Sequence, residues 1–515
     1  MEARPAEPVP GYFEDETVRA LLAKTRPLWA LGHAEALMGW DNETYMPRAG
    51  AAFRGLAAAE IATLRQRMLL DPELARLLEE AQSKLDSLNV YERGLVRVLS
   101  REVRIARSIP PELTWEKARI QPEALAAWRE ARARGDFARF RPFLERIVDI
   151  NRRIAEHLGY EGHPYNALLD LYEEGLTVDV MDGVFDTILP ESRRVLERVR
   201  GDGFYPDSHP LEEAEYDRAA MEEANRRILT LLGFPWERGR LDVSAHPFTI
   251  ALSVDDVRIT TRYEGRDFRR TLTAVIHEFG HALYELQVDR NLAATPLQGG
   301  ASMGVHESQS RFWENIVGRS PWFARAVKGV LDELLGFTRR YSWLELYRYL
   351  NIVRPDTIRV EADELTYNFH IHVRYTIEKA LIAGELEAGE APQVWDDLME
   401  KHLGIRPRSP SEGILQDIHW AMGAMGYFPT YTLGNVIAAQ MRRMILERLP
   451  DFPERVERLD LAPVREALGE AVHRWGSTLP PQELVERATG EPLNPEHFNE
   501  YIRWKYLQLP GELEA

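Results

Sequence analysis

Apolar residues recur at helical spacing over most of this chain. From residue 13 to 107, stripes such as Leu64, Met68, Leu69, Leu74, Leu77 and Leu78 lie between charged positions, the period of helices that bury one side. That pattern predicts a helical bundle. Within it, Leu37 to Pro47 (LMGWDNETYMP) ends a helix at an Asp-Asn-Glu-Thr turn, with Trp40 read as core. Further helices are predicted at 113–134, 137–158, 178–201 and 211–233, separated by the breaks SIPPE, GYEGHPY and GDGFYPDSHP. The period then changes. Phe248, Ile250 and Leu252 alternate on one phase and Val257, Ile259 and Thr261 on another, across an Asp255-Asp256 turn, which predicts a two-stranded ribbon. Helical spacing returns at 268–289, 302–317, 321–335, 342–349, 363–384, 392–402, 412–422, 430–447, 462–475 and 480–488. The expectation is a mainly α protein with a small ribbon. It is read as one domain over 1–515, with an N-terminal helical part (1–242) and a second part (243–515) carrying the chemistry, because no break resembles a flexible linker and no repeat is visible.

The chemistry centres on Thr271 to Arg290, TLTAVIHEFGHALYELQVDR. Residues four apart share a helix face, so His277 and His281 can aim both imidazoles at one metal ion. Glu278 is rotated off that axis, beside the ion, where a carboxylate can take a proton from a metal-activated water. Leu272, Val275, Ile276, Phe279, Leu283 and Leu286 would bury the helix, and Gly280 would let another backbone approach closely. Two histidines leave a metal site incomplete. Glu307, in ASMGVHESQSR after the Gly299-Gly300 break, is the best third ligand, with His306 as rival; the competing reading is an i, i+4 ion pair with Arg311.

Composition narrows the possibilities. The 515 residues are 44% hydrophobic, enough for a large core, and Asp+Glu at 82 against Lys+Arg at 64 gives a net charge of -18, which argues against nucleic acid or an anionic membrane as partner. With no cysteine, histidines and carboxylates must carry any metal, and a reducing cytoplasm is expected. The first residues, MEARPAEPVPGYFEDE, have no basic region followed by an apolar one, so neither secretion nor membrane insertion is expected.

A hydrolytic site also needs an oxyanion donor and a hold on the substrate. His246, before Pro247 at the mouth of the first ribbon strand, and Tyr427 are the leading donor candidates; Gln416, Asp417, His419 and Tyr431 are further candidates for a direct role. Arg354 and Arg359, either side of a Pro355 turn, could clasp a carboxylate bidentately unless they pair with Glu361, Asp363 or Glu364. His419 and Gln309 are counted with them as substrate-binding.

These segments together resemble the metallocarboxypeptidases called thermostable carboxypeptidase Taq, peptidase family M32. The resemblance runs in order through Trp40-Asp41 with Thr44, Met46 and Pro47; His246-Pro247-Phe248; Asp256, Arg258 and Thr260; the metal helix; His306-Glu307-Ser308-Gln309; Ile358-Arg359 with Ala362-Asp363; and Gly413, Gln416-Asp417 and His419-Trp420. Glu174 departs from it, standing where a proline is expected before Gly175. The resemblance implies a large helical zinc-peptidase fold with a deep cleft, a homodimer, and removal of single residues from peptide C-termini with broad tolerance but poor action on proline. It also implies zinc or cobalt held by His277, His281 and Glu307, Glu278 as general base, Arg354 or Arg359 on the terminal carboxylate, and Tyr427 or His246 on the oxyanion. Two other readings stay open: an endo-oligopeptidase using the same site, and a non-catalytic helical scaffold that binds peptides.

Overall fold

Asp15 accepts hydrogen bonds from the Thr17 and Val18 amides and so starts the first long helix, Glu16–Thr44. The helix is longer than its sequence pattern implies, since Asp41 to Thr44 form its last turn rather than a turn beyond it. The chain then doubles back into the helix Ala51–Leu69 and continues through Pro72–Gln82 and Val90–Ser108, the last opened by a capping box between Asn89 and Glu92. The computed structural model describes residues 11–514; the Pro-rich lead at 1–10 lies outside them. Val18, Leu21, Leu74, Leu78, Leu95 and Leu99 form a core of their own, completed by Val254, Val288, Leu292 and Leu297 from the segments flanking the metal helix. Trp40 is buried as expected, its ring covered by the guanidinium of Arg258 at 4.4 Å.

The remaining helices, from Pro111 onward, share one large core that runs across the expected division at 242/243. A strand, β1 (Gly239–Val243), straddles that division. Its five residues alternate, but the run is short and the one buried side chain is the polar Asp242 while Val243 is exposed, so hydrophobic pattern gives little signal for it. The expected ribbon is present as β2 (Thr249–Ser253) and β3 (Asp256–Thr261), and the sheet order is β1-β3-β2, with β1 parallel and β2 antiparallel to β3.

Several expected helices differ for local reasons. The 211–233 segment is a short 3-10 turn and then a helix restarted at Arg218 by the cap of Asp217. The 363–384 helix begins at Tyr367, because the Asp363 carboxylate takes the Leu365 and Thr366 amides into a turn. The 302–317 helix is α-helical only over Met303–Arg311 and widens to a π-helix over Phe312–Gly318. The 412–422 segment, expected as helix, is a run of turns: Gly423 and Gly426 have positive φ, and Gln416 spends its amide on the backbone of Thr357, Arg359 and Glu412. Among the described residues no helix is long and apolar enough to cross a membrane.

Candidate metal centre

The metal helix, Phe268–Leu286, buries Leu272, Val275, Ile276, Phe279, Leu283 and Leu286, as its apolar positions require. Gly280 meets the Met303–Arg311 helix so closely that a Cβ there would lie 2.4 Å from the Gln309 carbonyl oxygen. From the other side the helix Pro429–Arg448 brings Gly434 against Glu307. Glycines on both neighbours therefore let three helices converge on one carboxylate.

His277, His281 and Glu307 meet there, with their ligand atoms within 4.8 Å of one another. Glu307 Oε2 lies 3.5 Å from His277 Nε2 and 3.4 Å from His281 Nε2. Its other oxygen accepts from Arg311 Nε at 2.7 Å. The ion pair with Arg311 and the approach to the histidines thus coexist, one on each carboxylate oxygen.

The hydrogen bonds behind the imidazoles fix their tautomers. His277 Nδ1 is 2.9 Å from Glu314 Oε2; a carboxylate accepts, so Nδ1 carries the proton and Nε2 keeps a lone pair. His306 bonds Glu285 through Nε2 at 2.7 Å, which leaves its Nδ1 to accept from His281 Nδ1, also at 2.7 Å. His281 Nε2 is then likewise a lone pair. With both rings neutral, two imidazole nitrogens and a carboxylate oxygen face one another with no hydrogen between them, an arrangement that a cation stabilises and that matches the donors of a zinc-type site. The residues present fit a metal ion. His306, the rival ligand, stands behind His281 rather than among the donors.

The electrostatics separate the two rings: His281 is held neutral, whereas its carboxylate neighbours favour a proton on His277, a charge that a bound cation would replace. Burial drives the His281 imidazole down to about 4, reinforced by His277 and His306. Burial also opposes charge on His277, but Glu307 and Glu314 outweigh it and hold that ring above its ordinary value. Glu307 itself is held well below the carboxylate range, since Arg311 and the histidines overcome its burial. Glu278 stands apart: burial raises it, and its Oε2 accepts from the Thr249 hydroxyl of β2 at 2.5 Å.

His277 and Glu278 open onto a cleft of about 320 Å³. Arg354 and Arg359 both line it, with Pro247, Tyr367 and Asn435. Neither arginine takes the partners expected for it. Arg354 pairs with Glu212 through both terminal nitrogens, whereas Arg359 donates to Asp417 from Nε and Nη2 and to the Tyr367 hydroxyl from Nη1. Arg374 pairs with the same Asp417, so two guanidinium groups share one carboxylate. His419 and Tyr431 bond at 3.1 Å, and Tyr427 packs edge-on to Tyr431, its phenol raised by burial and then by Glu307. His246 is exposed on the loop before β2, and like His419, Tyr427 and Tyr431 it is not among the residues lining the cleft, although its neighbour Pro247 is. Gln309 is fully buried, and its amide serves His473 and Ser308. That placement corrects the expectation of a substrate contact: on the Met303–Arg311 helix, Gln309 is two positions from Glu307 and so faces away from it. Glu314, Thr249, Tyr367 and Asn435 were not singled out from sequence; Glu314 alone carried a signal, at i+7 from Glu307 and i+3 from Arg311.

A helical protein with a cleft, an apolar helix bearing His-Glu-x-x-His and a converging glutamate defines a metallopeptidase. Residues 20–506 match the family described as carboxypeptidase Taq (M32) metallopeptidase. The chain is 50% identical over 496 residues to thermostable carboxypeptidase 1 of Pyrococcus furiosus, covering 96% of this chain and 99% of that one. It is 37% identical over 477 residues to carboxypeptidase 1 of Bacillus subtilis, covering 92% and 95%. Its fold matches a solved structure of the Pyrococcus furiosus carboxypeptidase in an apo-Mg form, with a TM-score of 0.95 at 49% identity over 96% of this chain and 100% of that one. A second match is Trypanosoma cruzi metallocarboxypeptidase 1, with a TM-score of 0.92 at 34% identity over 96% and 100%. The chain belongs to the M32 metallocarboxypeptidase family.

Proposed function

We propose that this metallocarboxypeptidase hydrolyses the last peptide bond of peptides using Glu278 as general base, with His277, His281 and Glu307 holding zinc or cobalt. The observation that carries the reading is the convergence of His277, His281 and Glu307, with His277 and its neighbour Glu278 on the cleft wall. Imidazole donors favour those metals over magnesium, which prefers oxygen ligands. When bound, the ion would supply Lewis-acid polarisation of the scissile carbonyl and of a water molecule. Glu278 takes the proton of the attacking water and passes it to the leaving amine; its raised carboxyl suits both halves of that exchange. Thr249 holds the Glu278 carboxylate in place. Tyr427 donates to the developing oxyanion, its phenol kept protonated by burial. The exposure of His246 favours Tyr427 for this task.

Arg359 receives the peptide's terminal carboxylate. Glu212 pairs with both Arg354 and Arg269, and Asp267 supplies Arg269 with a second carboxylate, whereas Arg359 and Arg374 share the single carboxylate of Asp417, leaving a positive charge that an incoming carboxylate balances. The apolar side chains lining the cleft are few, among them Pro247, Ile352 and Val360, which supports broad tolerance of the terminal residue. The homodimer is part of the same reading: no side chain of the Ala51–Leu69 helix is buried, and Phe53 and Leu56 are exposed on it, surface that a second copy would cover. The absence of cysteine supports a reducing compartment such as the cytoplasm.

The test is the cleavage of one short peptide, free and C-terminally amidated, by metal-loaded and chelated enzyme. Stepwise loss from the free C-terminus, abolished by amidation and by chelation, is expected. Internal cuts in both peptides would replace this reading with the oligopeptidase.

A further inference from the structure

Glu173 is buried, 5% exposed, and has no cationic partner among the described residues. Its two oxygens instead meet the start of the helix that carries Glu307. Ser302 caps that helix: its hydroxyl accepts from the Val305 amide at 3.1 Å and donates to Glu173 Oε1 at 2.8 Å. Glu173 Oε2 accepts from the Gly304 amide, also at 2.8 Å. Two first-turn donors that would otherwise be orphaned are thereby satisfied, and these bonds favour the charged carboxylate against its burial, which pushes the carboxyl up to about 7. Gly304 leaves room for no side chain, since a Cβ there would lie 2.6 Å from Glu173 Oε2. Glu307 follows within the next turn.

The surrounding residues anchor this carboxylate from behind. Asp170 accepts from Arg101 at 2.6 Å and Glu174 pairs with Arg97, both arginines standing on the N-terminal helix Val90–Ser108. Glu174, the position that departs from the family pattern, is thus a tie to the N-terminal helices. Tyr172 packs edge-on against Tyr427 at 5.2 Å, and the Leu168 carbonyl oxygen lies so close to Gly426 that a Cβ there would be 2.5 Å from it. One short stretch therefore touches the Glu307 helix, the Tyr427 loop and the N-terminal helices.

We propose that Glu173 is a positioning residue for the metal site, holding the Met303–Arg311 helix so that Glu307 is presented to His277 and His281. The proposal rests on the metal assignment above. A burial cost of this kind is offset in part where each carboxylate oxygen has a donor, and here both donors come from the one helix whose placement sets the third ligand.

The experiment is cobalt titration of the metal-stripped wild type, Glu173→Ala and Glu173→Gln, reading affinity and the visible cobalt spectrum alongside melting temperature. Wild type should bind one ion per chain. Glu173→Ala should bind cobalt about 10-fold or more weakly with an altered spectrum, the size seen when a residue orienting a ligand is lost. Glu173→Gln, which keeps an oxygen for the Gly304 amide, should recover most of the affinity. Wild-type affinity and spectrum in Glu173→Ala, whatever its melting temperature, would overturn the proposal. Should Glu173→Ala fail to fold, Ser302→Ala cuts the same link: several-fold weaker binding supports the proposal and unchanged binding overturns it. A wild type that binds no ion at this site would instead overturn the metal assignment, and the proposal with it.

Discussion

A Cβ placed on Gly434 would lie 2.4 Å from the Glu307 Cγ. The contact is with the side chain that converges on His277 and His281, not with a flexible surface group, so an added methyl must displace either the Pro429–Arg448 helix or the carboxylate. Gly434→Ala is therefore expected to weaken metal binding about 10-fold or more while leaving most secondary structure intact. Competition against a chromophoric chelator, with far-ultraviolet circular dichroism as control, checks it. Wild-type affinity in this variant would mean that Glu307 is not a ligand.

Glu278 lies outside the three converging donors, so its loss should separate chemistry from metal retention. Glu278→Gln keeps the shape of the side chain and removes the base, and turnover should fall by roughly two to four orders of magnitude with KM little changed. Metal content by emission spectroscopy should stay at the wild-type level. A variant that retains near-normal turnover would remove Glu278 from the mechanism.

How much of this was legible in the sequence follows the range of the interactions. The metal helix could be read because ligand spacing, burial and Gly280 all lie within one stretch. Glu307 could be nominated, but its competing partner Arg311 was treated as an alternative; the geometry gives each a separate oxygen, a distinction that spacing alone does not contain. Glu314 and Glu285 support His277 and, through His306, His281, and such contacts have no sequence period. The turns at 412–422 were misread as helix because Ile414, Leu415 and Ile418 have helical spacing. What decides there is non-local: Glu378, from another helix, accepts from the Trp420 indole and the Gly426 amide.

Glu378 also yields a pH prediction. Burial pushes its carboxyl up to about 7, against the bonds from Tyr165, Gly426 and Trp420 that favour its charged form. The folded protein thus binds this proton more tightly than the unfolded chain, so the stabilisation is complete below about 4.5 and is lost as pH rises through about 7. Buried histidines such as His419, lowered to about 4 chiefly by burial, act with the opposite sign and gain stability as pH rises above that value. The difference between wild type and Glu378→Gln isolates the carboxyl. Relative to wild type, the variant should be more stable at pH 8 than at pH 5, by on the order of 1–3 kcal/mol. Urea denaturation at both pH values measures it, and a pH-independent difference would return Glu378 to an ordinary carboxyl.

The two cleft arginines make opposite predictions. Removing Arg359 leaves Asp417 paired with Arg374, so the fold should persist while the charge that balances a substrate carboxylate is lost. A charge-assisted pair of this kind contributes about 1.5–3 kcal/mol, so Arg359→Ala should lower kcat/KM for a free-acid peptide by roughly 10- to 100-fold. Removing Arg354 leaves Glu212 beside Arg269 and removes no unbalanced charge from the cleft, so Arg354→Ala should change kcat/KM by less than about 3-fold. Initial rates on a free-acid dipeptide series, measured for both variants, decide between them. If Arg354→Ala carries the larger loss, the terminal carboxylate displaces Glu212 rather than completing the Arg359–Asp417–Arg374 cluster, and the carboxylate end of the substrate lies on that side of the cleft.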